Sequence, residues 1–212
     1  MKTKKFLTLG LAAIMAVSMV GCVNQHPEEA NGTAASSDDV RIVATSPATA
    51  DICDRLELDL VGVCSSTLST IPERYKDVTQ IGTAMSPDLE MLKPDYVLSP
   101  SSLQSDLQPK YESIGVNSIF LNLKSVEGMY ASISDLGQKF DREEQAQALV
   151  DEFNPFMEEY KKKNEGKESP RVLVLMGLPG SYIVATENSY VGSLVKLAGG
   201  VNVYQGTDQE FL

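Results

Sequence analysis

Three cysteines and a single histidine hold most of the covalent and metal-binding chemistry open to this 212-residue chain. Cys22 follows a basic start with Lys2, Lys4 and Lys5, an apolar run from Phe6 to Val20, and the small residue Gly21. That order is the plan of a secretion signal cut before a cysteine whose thiol is then acylated. The apolar run, about fifteen residues, is short of the roughly 20 that cross a bilayer as a helix. Residues 1–21 are thus expected to be a signal peptide and Cys22 the lipidation site, holding the protein on the extracytoplasmic face of the cell membrane. Residues 22–40 are polar and poor in bulky apolar side chains, so they read as a flexible tether.

Removing residues 1–21, which carry three lysines and no acids, moves the net charge from −11 to −14. A field of that sign disfavours nucleic acid, whose phosphates demand Lys and Arg. The only histidine, His26, lies in the tether. Ser-His-Asp and Cys-His catalysis and His-based zinc sites all need an imidazole in the folded body, so those classes are excluded. Cys53 and Cys64 stand eleven positions apart. In an oxidising compartment they read either as a disulfide or as two buried free thiols. No CxxC and no activating base accompanies them, which counts against a redox enzyme built on these thiols.

Positioning such groups falls to alternating strands and helices from Arg41 onward, the pattern of a parallel sheet flanked by helices. RIVAT (41–45), LVGVC (60–64), YVLS (96–99) and NSIFL (117–121) read as strands. Ser46-Pro47 and Ser86-Pro87 both look like an N-cap with proline at the first helical position, and Asp106 to Ile114 reads as a helix. The stretch between is an irregular Ser/Thr-rich loop to about Val78, then a loop over Gly82–Ser86. A long helical stretch follows from about Val126 to Lys163. Asp141 with Glu144 suggests a capping box and a break near 140, and Pro155 a second irregularity. RVLVLMG (171–177), SYIVA (181–185), a helix from Tyr190 to Leu197 and a short VNVY close the chain. The residues after Ser169 are too few to bury a second sizeable core alone, which reads as a fragment or truncated product.

These motifs converge on a family. The segments LDLVG (58–62), PERYKDVTQIGTAMSPDLE (72–90), LKPDYVLS (92–99), VLVLMGLPGSYIVAT (172–186) and SYVGSLVKLAGGVNV (189–203) resemble the class III solute-binding proteins of ABC importers. Within that class they are most similar to the haem-receptor lipoproteins of Gram-positive bacteria, the IsdE type. The resemblance implies an α/β, two-lobed class III periplasmic-binding-protein-like fold joined by a long inter-lobe helix, with the second lobe incomplete. Its parts would be an N-terminal α/β lobe at 41–123, the inter-lobe helix at 124–168 and a partial C-terminal lobe at 169–212. The implied function is delivery of haem (iron protoporphyrin IX) to an ABC permease for iron acquisition, with upstream cell-surface haem-relay proteins as further partners. A ferric siderophore or cobalamin is the alternative ligand, and a surface interaction module without a small ligand is a further reading.

The resemblance also assigns residues. In the haem branch a first-lobe methionine and a second-lobe histidine hold the iron. The methionine matches Met85 in IGTAMSP, and the histidine falls beyond residue 212. A thioether is a soft ligand suited to haem iron, whereas residue type alone leaves Met85 equally readable as a core filler. Thr45 and Ser46, at the carboxyl end of the first strand and the start of a helix, are candidates for the haem propionates, with Ser46 equally readable as a simple cap. Tyr182 is a candidate cleft residue of the second lobe, or a plain strand aromatic. Glu90 matches the glutamate that docks on permease arginines in the broader class, or is a solvated acid at a helix start. About three residues that the family usually has between this glutamate and LKP are missing here, nearly one helical turn.

Overall fold

The computed structural model describes residues 40–66 and 70–212. Residues 1–39, read as a signal peptide and most of a tether and including Cys22 and His26, lie outside them. A five-stranded sheet, parallel throughout, forms the first half in the order β3-β2-β1-β6-β7. Its strands are β1 (Ile42–Ala44), β2 (Gly62–Val63), β3 (Thr79–Gln80), β6 (Tyr96–Pro100) and β7 (Asn117–Leu121). The central strand β1 is buried at every residue, as a strand covered on both faces must be.

Side-chain alternation sorts the core into two layers. Ile42 and Ala44 of β1 face α1 (Pro47–Arg55) and α3 (Val126–Lys139), packing with Ile52, Leu56, Ile133 and Leu136. Val43 and Val97 face α2 (Gln104–Ser113), packing with Leu107 and Tyr111. The chain adds strands to one side of β1 and then to the other, so the switch point of the sheet lies between β1 and β6.

Two expectations for residues 65–94 are corrected. A strand, β3, pairs with β2 where no strand was read, because its two exposed residues, Thr79 and Gln80, give no apolar run. Ser86-Pro87 does not open a helix. It is strand β5 (Ser86–Pro87), paired antiparallel with β4 (Gly82–Thr83) in a hairpin whose tip is Ala84-Met85. The reason is pairing. The ladder with Gly82 and Thr83 holds Ser86 and Pro87 extended, and the Asp88 amide continues it by donating to the Ile81 carbonyl. The chain turns only afterwards, where the Leu89 carbonyl accepts from the Leu92 and Lys93 amides.

The stretch read as an inter-lobe helix is helical and breaks where expected, but as two helices, α3 and α4 (Glu143–Asn164). Asp141 does not cap α4. It takes a left-handed φ of 55°, and Arg142 occupies the N-cap position, its side chain donating to the Asp141 carbonyl at 3.0 Å and not capping the helix. Tyr130 of α3 stacks on Phe153 of α4 at 4.5 Å, so α4 doubles back along α3. Gly137 permits this close crossing, since a Cβ there would lie 2.7 Å from the Ala146 Cβ. Pro155 sits on the exposed side of α4 without ending it.

Beyond α4 come small sheets. β8 (Arg171–Val172) pairs parallel with β11 (Val201–Asn202), and β9 (Val174–Leu178) pairs antiparallel with β10 (Ser181–Ala185). The run read as one strand from 171 is thus divided at Leu173. Helix α5 (Tyr190–Leu197) starts on a Ser189 cap, whose hydroxyl accepts from the Gly192 amide at 2.9 Å. The last residues lie along β10: Val184 and Leu212 exchange backbone bonds of 2.9 Å, and Ala185 bridges Phe211.

Candidate functional site

The carboxyl ends of the parallel strands share one edge, and α1, α2 and α3 all begin there, following β1, β6 and β7. Three positive helix-dipole ends on one edge favour a ligand bearing negative charge.

The β4–β5 hairpin stands on this edge. Ser65, just past β2, donates from both its amide (2.9 Å) and its hydroxyl (3.1 Å) to the Gly82 carbonyl. Gly82 has φ of 84°, a conformation that side-chain-bearing residues rarely adopt, and this turns the chain into the hairpin. Its tip residue Met85 is 45% exposed, while Met157, a real filler in α4, is 8% exposed. The Met85 thioether is therefore presented to solvent over the carboxyl edge.

Thr45 is a correction. Its side chain is fully buried, its hydroxyl donates to the Leu98 carbonyl at 3.2 Å and lies 2.8 Å from the Ser99 Oγ. Ser99 in turn lies 3.4 Å from the Tyr111 hydroxyl, whose pKa burial raises. Thr45 thus stitches β1 to β6 across the switch point, and its hydroxyl is committed inside the protein. Ser46 is half-buried and caps α1, accepting from the Thr49 amide at 3.1 Å and meeting the Thr49 Oγ1 at 2.8 Å. The capping reading accounts for its geometry.

Tyr182 projects from β10 opposite Gly177 and is 75% exposed. Glu90 is also exposed, but in a turn and not at a helix start, so no helix dipole acts on it. It borders a hollow of about 360 Å³ with Lys93, Pro94 and Ile114 to Val116, residues that precede β6 and β7. Glu90 therefore lies toward the amino edge of the sheet, away from Met85.

Cys53 and Cys64 are both free and buried. They belong to different core layers, Cys53 with α1 and Ile42, Cys64 with Val43 and Val97, so the sheet separates them and no disulfide forms. Desolvation pushes both thiols up to about 12, with the Asp54 charge adding to the effect at Cys53. Neither is an activated nucleophile. Among the described residues no cluster of three or more His, Cys, Asp or Glu is placed to hold a metal ion.

Two residues escaped the reading by motif. Ser65 orients the hairpin through a carbonyl 17 positions away. Lys124, in the turn between β7 and α3, forms an ion pair of 2.5 Å with Glu210. A tally of charge at strand carboxyl ends would have singled out Lys124, whereas nothing local marks Ser65.

The profile of the periplasmic binding proteins matches residues 42–212. The high-affinity heme uptake system protein IsdE of Staphylococcus aureus strain Newman is 39% identical over 216 aligned residues, spanning 100% of this chain and 72% of that protein. Among solved structures, an ABC transporter substrate-binding protein from Listeria monocytogenes EGD-e superposes with a TM-score of 0.76 at 45% identity, over 82% of this chain and 68% of that one. Staphylococcus aureus IsdE complexed with heme superposes with a TM-score of 0.75 at 42% identity, over 82% and 69%.

Proposed function

We propose, from the premise that this chain belongs to the periplasmic binding protein family, that it captures haem and hands it to an ABC permease for iron acquisition. Its relative IsdE is a heme uptake protein, and the solved structure of IsdE is a complex with heme. The observation that carries the reading is Met85. An exposed thioether on a braced hairpin, above an edge where three helix dipoles converge, suits axial ligation of a haem iron. Capture and release require no bond of the porphyrin to be made or broken, in keeping with the buried, protonated thiols of Cys53 and Cys64.

The finer features belong to the same proposal. Cys22 carries the lipid anchor, supported by the sequence of residues 1–22. Tyr182, exposed on β10, lies against the porphyrin from the second lobe. Glu90 offers the permease an exposed carboxylate, and cell-surface relay proteins supply the haem upstream. Titration of the protein with haemin tests the reading. A stoichiometric shift of the Soret band is expected, and an unshifted band at equimolar haemin refutes it.

A further inference from the structure

Among the described residues, Lys124 is the one Lys or Arg within the first three positions after a strand's carboxyl end. Its setting is built with care. Asn122, at the end of β7, donates its amide to the Ser132 hydroxyl at 2.9 Å, and its side-chain oxygen accepts from the Lys124 amide at 3.2 Å. The Lys124 backbone is thus fixed while its side chain stays half-exposed and reaches Glu210. Glu210 is equally fixed, since its carbonyl accepts from the Thr186 amide at 3.0 Å at the end of β10. A cation on the ligand edge, in a chain with an excess of acids, is held by a single carboxylate.

We propose that Lys124 receives a carboxylate arm of the bound ligand in exchange for Glu210. The inference rests on the haem reading and deepens it, because a haem carries two propionate carboxylates. Position supports it. Lys124 follows β7 at one end of the sheet order, while the Met85 hairpin follows β3 at the other. Four strand spacings separate those strands, roughly 19 Å. Along that edge, a porphyrin whose iron meets Met85 extends its carboxylate arms toward Lys124. The swap of one carboxylate for another keeps the ammonium paired throughout, so binding leaves no unpaired cation behind.

Haemin and its dimethyl ester, in which methyl groups cap both carboxylates, separate this role from iron ligation. The wild-type protein binds haemin more tightly than the ester. Lys124→Met lowers haemin affinity by about tenfold, the scale of one charge-assisted contact, and leaves ester affinity unchanged. Lys124→Arg retains the preference, and Glu210→Gln, which frees the lysine, raises haemin affinity alone. Equal losses for both porphyrins in Lys124→Met, or no loss for either, overturn the inference while leaving haem binding intact. A wild-type protein that takes up neither porphyrin overturns the haem reading and this inference with it.

Discussion

Ser65 and Gly82 are joined twice, the amide and the hydroxyl of the serine both donating to one glycine carbonyl, at 2.9 and 3.1 Å. This double contact anchors the hairpin that carries Met85 to the end of β2. Removing the hydroxyl loosens the hairpin and spares the core. In Ser65→Ala, haemin affinity should fall several-fold while stability drops by no more than about 1 kcal/mol, the scale of one exposed neutral hydrogen bond. Parallel haemin titration and thermal melting check both halves of that expectation.

Met85→Ala should weaken haemin binding by tenfold or more, about 1.4 kcal/mol or above, and shift the Soret band. The melting temperature should hold, because the side chain stands outside both core layers. An unchanged spectrum and affinity would remove Met85 from the site.

Thr45→Val deletes a buried hydroxyl that serves both Leu98 and Ser99. The expected cost is about 1–3 kcal/mol of stability, since Ser99 loses a buried partner. Haemin affinity should change little. A large loss of affinity at unchanged stability would return Thr45 to the binding site.

The two thiols make stability depend on alkaline pH. Cys53 and Cys64 ordinarily ionise near 9.0 and are held up to about 12 in the fold. The unfolded chain therefore releases these protons first. Their contribution is fully present below pH 9 and is lost as pH rises from there toward 12, by about 1.4 kcal/mol per pH unit for each thiol. Denaturant midpoints measured from pH 8 to 11 should fall, and fall less in Cys53→Ala relative to its own value at pH 8. Native protein at pH 8 should also react with thiol reagents only as fast as it opens.

Glu90→Ala should abolish haem import by whole cells and leave haemin binding by the purified protein untouched, since Glu90 lies toward the opposite edge from Met85. Normal import would end the docking role.

Most of the elements were legible because their signals are local. β7 and α5 span the residues read for them, and the Ser46 cap holds its helix as side-chain chemistry dictates. The miss at Ser86-Pro87 has a non-local cause. A Ser-Pro pair caps a helix only where its backbone is free to turn, and here a ladder with Gly82 and Thr83 holds it extended.

The order of apolar and polar residues by itself determined the α/β class, and short motifs the likeness to the family, because periodicity and motif are properties of neighbouring residues. Tertiary structure alone decided what each candidate can touch. It committed Thr45 inward across the switch point, put Cys53 and Cys64 on opposite faces of one sheet, set Glu90 in a turn toward the amino edge, and brought Lys124 to Glu210 across 86 positions of chain. The physical reason is that a strand's alternate faces and a sheet's two edges are assigned only once strands pair, and pairing joins residues whose separation in the chain no local pattern records.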